Sequence, residues 1–259
     1  MRTVMPERLT LAHAIVQDAA AMALAAFNSR GGIGARAKQP QDFVSEVDER
    51  VESSIRERLA LDFPGEAVFG EEFGGQLGDS NWIIDPIDGT ANFLRGVPLW
   101  AVSLGFVQAG QPFAGVVAMP ALGLVVGAQA GAGLFVGGQS AQRDAAFDSV
   151  RIASVGDAVD DIEAVAATSA ALRRAGWVVQ AYRSTATAMA FAALGRLDGH
   201  VQPRVKAWDM AAGAVLCTEA GLQVRHGSLL QPDTFVAAGT PALQQALPAD
   251  WAWHGRGKD

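Results

Sequence analysis

Apolar residues recur at helical spacing in the first quarter of the chain. From about Pro6 to Phe27 they follow one face of an amphipathic helix, and a second helix is expected to begin near Ser45. Ser45 and Asp48 have the spacing of a capping box. The apolar stripe of the second helix has a member at every fourth position, and its members are Val47, Val51, Ile55 and Leu59. A loop over residues 31–40 is expected to connect the two helices.

The hydrophobic pattern changes to short runs in the middle of the chain. Ala67–Gly70 and Trp82–Asp85 predict strands, and residues 101–136 predict an antiparallel meander with glycine and proline in its turns. After about Arg151 the pattern alternates between helices and strands. The expected helices there are Ile162–Ala175, Thr185–Leu197 and Asp209–Gly221, and the expected strands are Trp177–Tyr182, His200–Gln202, Leu222–Arg225 and Phe235–Ala238. This order of elements indicates an α+β fold built in layers.

Composition limits the class of protein that the chain can form. Of its 259 residues, 50% are hydrophobic and 18% are charged, which excludes an acidic disordered polypeptide. We expect a single domain over residues 1–259, with halves of about 1–150 and 151–259. The net charge of −7 argues against a nucleic-acid partner, whose protein surface is usually basic. Cys217 is the sole cysteine, so no internal disulfide can form.

Two apolar stretches raise the question of a signal or membrane segment. Residues 19–27 follow Glu7 and Asp18 and continue a helical pattern, which favours an amphipathic helix over a signal peptide. Residues 112–128 are uncharged but contain prolines and glycines, and they fall short of the roughly 20 residues that a membrane helix needs. We therefore expect a cytoplasmic protein without a membrane partner.

The acidic residues are unevenly distributed along the chain. Between Asp42 and Asp88 there are 13 acidic and three basic residues, so this segment has a net charge of −10 against −7 for the whole chain. Part of the excess is expected on the surface of the second helix. The carboxylates assigned to that surface are Glu49, Glu52 and Glu57, and Glu52 has the spacing of a helical ion pair with Arg56. The remaining carboxylates require a functional explanation.

Several of these carboxylates lie at the predicted ends of strands. Glu71 follows the first strand, Asp85 ends the second and Asp88 comes three residues later, and Asp209 lies at the start of a late helix. Carboxylates that lie close together repel one another unless a cation or a proton intervenes. Oxygen ligands without histidine or cysteine favour hard cations, Mg²⁺ above all. Two such ions a few ångströms apart can activate a water and stabilise a leaving oxygen in phosphoryl transfer.

The residues after Asp88 fit a phosphate group. A helix start at Gly89 and Thr90 presents free N–H groups, which favour an anion together with the helix dipole. Gly89 allows a close approach, and the Thr90 hydroxyl can hold a water. Purely structural roles fit the same residues, because Asp-Pro-Ile-Asp-Gly is a good turn sequence and Asp209 could be only an N-cap. Asp48 could likewise be only a part of the capping box.

Two segments resemble the signatures of the inositol monophosphatase family. They are WIIDPIDGTANF at residues 82–93 and WDMAAGAVLCTEAG at residues 208–221. Shorter segments that also resemble the family are DFVSEVD at 42–48, GEE at 70–72, RSTAT at 183–187 and GRLDG at 195–199. The resemblance implies a five-layer αβαβα sandwich of the inositol monophosphatase and fructose-1,6-bisphosphatase type. It also implies a homodimer with Mg²⁺-dependent, lithium-sensitive phosphatase activity on a small phosphorylated substrate.

The resemblance further implies a set of metal ligands, carried over by motif. Glu71, Asp85 and the carbonyl of Ile87 would hold a first Mg²⁺ ion. Asp85, Asp88 and Asp209 would hold a second ion. Glu71 would reach a third, weaker ion through water, so two or three ions are expected in each active site.

Catalytic and substrate-binding roles follow from the same resemblance. Asp48 and Thr90 would orient and deprotonate the attacking water, and Glu71 would be the third catalytic residue. The implied substrate contacts are Asp88, Gly89, Thr90, Arg183, Ser184, Gln202 and Asp209.

Two of these positions depart from the family pattern. Gln202 lies seven residues before Asp209, where members that act on inositol phosphates usually have a glutamate. Arg183 replaces the usual glycine and could be only an exposed surface charge. Inositol monophosphate is the first candidate substrate, and histidinol phosphate and a 3′-phosphoadenosine nucleotide are the alternatives. A non-catalytic docking protein on the same fold is the alternative from another class.

Overall fold

The computed structural model describes residues 4–29, 35–39, 42–145, 149–156, 162–248 and 251. Its helices are α1 (Glu7–Ser29), α2 (Glu46–Asp62), α3 (Thr90–Arg95), α4 (Ile162–Arg174), α5 (Thr185–Ala193), α6 (Ala207–Glu219) and α7 (Pro241–Ala246). Its strands are β1 (Ala35–Gln39), β2 (Asp42–Ser45), β3 (Ala67–Gly70), β4 (Gly74–Gly75), β5 (Ser80–Asp88), β6 (Ala101–Gln108), β7 (Gln111–Met119), β8 (Leu124–Gln129), β9 (Gly133–Val136), β10 (Gln139–Ala141), β11 (Ile152–Val155), β12 (Val178–Gln180), β13 (Gly199–Lys206), β14 (Gln223–His226) and β15 (Asp233–Gly239).

The middle of the chain forms the first sheet. Within the described residues it has eight strands, in the order β10-β9-β8-β7-β6-β5-β3-β4. Strands β5 to β10 pair antiparallel with their neighbours in sequence, which confirms the predicted meander. Strand β3 instead runs parallel to β5, with Gly70 opposite Ile84. The residues that follow Gly70 therefore lie beside those that follow Ile84.

Helices α1 and α2 cover one face of this sheet. The four apolar residues predicted for α2 are all buried there, and each contributes roughly 1.5–3 kcal/mol to the folded state. The capping box is also confirmed, because the Ser45 hydroxyl accepts from the Val47 N–H while the Ser45 N–H donates to Asp48. The expected surface position of Glu52 is wrong, since this side chain is 0% exposed.

Helix α1 is long and apolar enough, by length and composition alone, to cross a membrane. Its residues Leu9, Ile15 and Val16 are buried in the core between α1, α2 and the first sheet. A buried core helix of this kind passes the same test of length and hydropathy as a membrane helix. The amphipathic first helix predicted from the sequence is confirmed.

The last third of the chain forms a second sheet, with five strands among the described residues in the order β12-β11-β13-β15-β14. Helices α5 and α6 lie between the two sheets, and α4 and α7 pack on the outer face of the second. Gly105 and Gly115 of the first sheet lie against Ala212 of α6, where a side chain would collide with the helix backbone. The predicted five-layer αβαβα sandwich is thereby confirmed in the described part of the chain.

Two differences from the predicted elements affect the site. Strand β5 extends to Asp88, and its register against β6 shifts between Asp85 and Asp88. Helix α6 begins before Asp209, with Lys206 as its N-cap, so the interpretation of Asp209 as an N-cap is wrong. Asp209 lies in the first helical turn, where the helix dipole also favours a carboxylate.

The remaining differences lie away from the site. Strand β1 forms within the expected loop and pairs with β2, while residues 31–34 and 40 of that loop lie outside the described residues. Strand β11 and helix α7 had no predicted counterpart. Helix α5 ends at Ala193 instead of Leu197, because Gly195 takes a positive φ and stops the helix.

Candidate active site

The end of β5 and the first turn of α6 bring three carboxylates together. We call this group, formed by Asp85, Asp88 and Asp209, the acidic triad. One carboxylate oxygen of each member lies within 4.8 Å of the others. Asp85 is 1% exposed and Asp88 is 7% exposed. Asp209 is half-buried. Because carboxylates so close together repel one another, a cation or protons must lie between them.

Asp85 is the member of the triad that lacks hydrogen-bond donors. None of the described residues donates to either of its carboxylate oxygens, although both oxygens are buried. Burial, and then the nearby charges of Glu71 and Asp88, raise the pKa of Asp85 well above its usual value. A buried carboxylate without donors is unfavourable unless a cation satisfies it or a proton neutralises it. This oxygen-only set of ligands fits a hard divalent cation such as Mg²⁺.

Asp88, in contrast, is held by the start of α5. Its carboxylate accepts from the Ser184 hydroxyl at 2.7 Å, from the Ala186 N–H at 2.6 Å and from the Thr185 N–H at 3.3 Å. Burial raises the pKa of Asp88 to about 6, and these hydrogen bonds limit the rise. Burial and then the charge of Asp88 raise the pKa of Asp209 to about 8. The triad without a cation therefore retains protons near neutral pH.

Glu71 lies in the turn after β3, beside the triad. Its N–H donates to the Ile84 carbonyl at 3.2 Å, which places Glu71 next to Asp85 across the parallel strand pair. The charge of Glu71 is one cause of the raised pKa of Asp85. Glu71 is not a member of the group whose oxygens all lie within 4.8 Å. The structure thus brings three of the four carboxylates with predicted ligand roles together and places the fourth beside them.

Asp48, Thr90 and the Ile87 carbonyl form a polar chain near Asp85. The Thr90 hydroxyl lies 3.0 Å from the Ile87 carbonyl oxygen and 3.4 Å from Oδ1 of Asp48. The other carboxylate oxygen of Asp48 accepts from the N–H and the hydroxyl of Ser45, so the capping box also orients this side chain. Asp48 is fully buried, and its charge contributes to the raised pKa of Asp85. This arrangement can orient a water and accept its proton.

Gly89 has a backbone conformation that favours glycine. Its φ is +91°, and a Cβ atom there would lie 3.0 Å from the Arg183 carbonyl oxygen and 3.2 Å from that of Leu99. Gly89 is the N-cap of α3, and Thr90 is its first residue. The two residues predicted to bind phosphate therefore lie at a helix start directly after Asp88.

A cleft of about 470 Å³, which includes space open to solvent, adjoins the triad. It is lined by Asp88, Ser154, Gly156, Tyr182, Arg183, Ser184, Thr185, His200, Gln202 and Asp209. Arg183 is exposed, as the simpler interpretation expected, but it also lines the cleft. Its φ of +54° lies in the left-handed region, which explains why glycine suits this position.

Gln202 belongs to a hydrogen-bond network that sequence reasoning missed. Its Nε2 donates to the Arg204 carbonyl at 3.1 Å, and because a carbonyl can only accept, this bond sets the orientation of the amide. Its Oε1 then accepts from the Thr185 hydroxyl at 2.7 Å and from His200 Nε2 at 3.2 Å. The other ring nitrogen of His200 lies 3.1 Å from the Ser154 hydroxyl. Burial lowers the pKa of His200 to about 4, so the network is uncharged at neutral pH.

Comparison with known proteins identifies the relatives of this chain. The model of the inositol monophosphatase family matches residues 5–250. The chain belongs to this family. An inositol-1-monophosphatase from Mesorhizobium japonicum is 34% identical over 227 residues, which are 81% of this chain and 83% of the relative. The predicted enzyme class, a phosphoric monoester hydrolase, is thereby confirmed.

Members of the inositol monophosphatase family that resemble this chain carry names for more than one substrate. A histidinol-phosphatase from Mycobacterium tuberculosis is 36% identical over 187 residues, 69% of this chain and 72% of the relative. Among solved structures, the extragenic suppressor protein suhB from Bartonella henselae superposes with a TM-score of 0.82 at 25% identity, over 94% of this chain and 99% of that one. The substrate of this family member must therefore be argued from its own cleft.

Proposed function

We propose that the chain is a Mg²⁺-dependent phosphomonoesterase that acts on a small polyol or sugar phosphate, with inositol monophosphate as its substrate. The observation that carries this proposal is the acidic triad, in which the buried Asp85 has two oxygens without a donor in the described part of the chain. Glu71, Asp85 and the Ile87 carbonyl would hold one ion. Asp85, Asp88 and Asp209 would hold a second, and Glu71 would reach a third through water.

The residues around the triad supply the remaining steps of phosphate hydrolysis. Bound Mg²⁺ would supply the positive charge that makes a water more acidic and stabilises the phosphate. The Thr90 hydroxyl orients the attacking water, and Asp48 takes its proton through that hydroxyl. The N–H groups of Gly89 and Thr90 donate to the phosphate oxygens. The released alcohol then lies toward the cleft.

The cleft favours an uncharged leaving group. The network of His200 and Gln202 is uncharged, and Arg183 is the one cation among the described residues that line the cleft. The positively charged amine of histidinol would lie near the positive charge of Arg183. Outside the triad, none of the described residues that line the cleft supplies a carboxylate to pair with this amine. The second phosphate of a 3′-phosphoadenosine nucleotide would need more positive charge than one arginine provides. The hydroxyls of inositol can both donate and accept hydrogen bonds, which suits the uncharged polar residues that line the cleft.

A screen of phosphate release tests the proposed function. Inositol monophosphate, sugar phosphates, histidinol phosphate and 3′-phosphoadenosine nucleotides are compared with Mg²⁺ and with EDTA, and lithium serves as an inhibitor. We expect the highest kcat/KM for inositol monophosphate, no release in EDTA, and a loss of at least about 100-fold in Asp88→Asn. Asp79→Asn, at a position outside the site, is the matched control and should retain wild-type turnover.

Each alternative has a distinct outcome in this screen. Unchanged turnover in Asp88→Asn would exclude the two-metal mechanism. A preference for histidinol phosphate would refute the argument from the uncharged cleft. A protein that shows no Mg²⁺-stimulated release from any of these compounds would fit the docking alternative.

We also propose that the protein is cytoplasmic and has a single domain, and that it is a homodimer that lithium inhibits, as the family resemblance implies. The match of the family model across residues 5–250 supports the single domain. Sedimentation equilibrium tests the dimer, and a mass equal to the 27.0 kDa of one chain would contradict it.

A further inference from the structure

Helix α2 carries a second buried carboxylate, one turn after Asp48. Glu52 lies four residues beyond Asp48, so both side chains project from the same face of the helix. Both are 0% exposed. Asp48 is already part of the proposed active site, whereas Glu52 has no role in it.

The Glu52 carboxylate holds the turn that follows β3. Its Oε2 accepts from the Glu72 N–H at 2.8 Å, and its Oε1 accepts from the Phe73 N–H at 3.3 Å. Arg56 Nε donates to the same Oε1 at 2.8 Å and neutralises the charge. A second nitrogen of Arg56 donates to the Gly74 carbonyl. Glu52 therefore binds two N–H groups of this turn, and Arg56 binds a carbonyl at its end.

The contact also explains the glycine that precedes the turn. A Cβ atom at Gly70 would collide with the Glu52 carboxylate, so glycine leaves the space that this carboxylate fills. Glu71 lies directly between Gly70 and Glu72, and its own N–H is bonded to the Ile84 carbonyl. The backbone around Glu71 is thus fixed at two points. The Glu71 N–H is bonded to β5, and the N–H of the next residue, Glu72, is bonded to Glu52 of α2.

We propose that Glu52 is a positioning residue that fixes Glu71 beside Asp85 and thereby sets the Mg²⁺ affinity of the site. The identity of the ion rests on the proposed function. Glu52 itself already accepts from three donors and is neutralised by Arg56, so it does not act as a metal ligand. Groups that hold metal ligands in place typically change metal affinity by about 10–100-fold when they are removed.

Replacement of Glu52 by glutamine tests this role. An amide has one acceptor oxygen and a donor NH₂, so at least one of the three donors that face Glu52 would meet another donor. We expect the Kd for Mg²⁺, measured by calorimetry on the metal-free protein, to rise about 10–100-fold. The Mg²⁺ concentration for half-maximal activity should rise equally, while kcat at saturating Mg²⁺ should stay within about threefold of wild type.

Glu66→Gln is the matched control for the loss of a charge pair away from the site. Glu66 accepts from both terminal nitrogens of Arg8 at 2.7 Å and from Trp82 Nε1 at 2.6 Å, and none of these groups belongs to the site. We expect this variant to have a lower Tm and an unchanged Mg²⁺ Kd. Should Glu52→Gln fail to fold, Glu52→Asp replaces it, because aspartate keeps the charge but retracts the oxygens from the turn.

The outcomes separate this inference from the proposed function. A Glu52 variant that binds Mg²⁺ as tightly as wild type overturns the positioning role. An equal loss of affinity in Glu66→Gln overturns it as well, because the effect would then be general destabilisation. If the wild-type protein binds Mg²⁺ but releases no phosphate, the proposed function fails while the binding experiment still decides the role of Glu52.

Discussion

Replacement of Asp85 by asparagine should stabilise the metal-free protein and abolish its response to Mg²⁺. Asparagine keeps the size of the side chain, removes one negative charge from the triad, and adds an NH₂ group that can donate to neighbouring carboxylates. Asp85 accepts no hydrogen bond from the described residues, and the NH₂ of asparagine can replace its carboxyl as the hydrogen-bond partner of Asp209. The substitution also removes the carboxylate charge that a bound cation would neutralise.

The separation of the triad oxygens sets the size of the effect. The oxygens lie within 4.8 Å of one another, so at an effective dielectric of about 20 each pair of full charges would repel by at least about 3.5 kcal/mol. Protonation limits this repulsion, because keeping a proton at pH 8 on a group with an unfolded pKa of about 3.9 requires about 6 kcal/mol. We expect Asp85→Asn to raise the free energy of unfolding of the metal-free protein by about 3 kcal/mol, which is half of that limit. For a chain of this length the gain corresponds to an increase of about 6–12 °C in Tm.

The sign of the pH dependence follows from the raised pKa values of the triad. Between the unfolded pKa and the higher folded pKa, the folded protein binds more protons than the unfolded chain, so stability falls as pH rises. This loss begins above about pH 4 and continues through the pKa of about 6 of Asp88 and the pKa of about 8 of Asp209. The advantage of Asp85→Asn should therefore be largest at about pH 8 and should vanish near pH 4.

Thermal unfolding followed by circular dichroism measures both effects. Wild type, Asp85→Asn and the control Asp79→Asn are heated at about pH 4, 6 and 8, in EDTA and in Mg²⁺. Mg²⁺ should raise the Tm of wild type and of the control but not that of Asp85→Asn. A variant less stable than wild type in EDTA at the highest pH would refute the reasoning, because the protein itself would then satisfy the Asp85 charge.

Three further predictions concern single residues around the site. Gly89→Ala should lower the free energy of unfolding in urea by about 1–3 kcal/mol, because its φ of +91° disfavours a side chain; an unchanged midpoint would contradict this. Gln202→Glu should raise the pKa of His200 above its present value of about 4, by about 1–3 pH units in an NMR titration, since a carboxylate would replace the amide oxygen beside Nε2. Cys217, whose pKa burial raises to about 12, should react with a thiol reagent at about pH 8 only after unfolding, and rapid labelling of the native protein would disprove its burial.

The elements that could be predicted from the sequence are those with strong local patterns. The stripe and the capping box of α2 lie within one segment, so spacing alone predicted both the helix and its first residue. The meander followed from turn residues between apolar runs. Strand β11 was missed because its four residues carry no alternation, and its place is set by the parallel pairing with β12 and β13.

The candidate site shows the same division between local and distant information. Asp85 and Asp88 share one motif, and the resemblance of that motif to a family signature was enough to predict them. His200 and Gln202 alternate along β13 and so share a face, and this spacing is visible in the sequence. Their partner Ser154 comes from β11, 46 residues away from His200, and the sequence carries no local sign of that contact.

The error over Glu52 shows why the acidic excess alone does not identify a metal site. Its spacing to Arg56 fits an exposed helical pair as well as a buried one, and only the turn contributed by Glu72, 20 residues away, decides between them. The buried carboxylates of this segment differ in what balances them: Arg56 pairs with Glu52, and the start of α5 donates to Asp88. Asp85 alone, within the described part of the chain, has neither a cation nor a donor. The case for a metal site therefore rests on this one unsatisfied carboxylate, and the net charge of −10 only marks the segment that contains it.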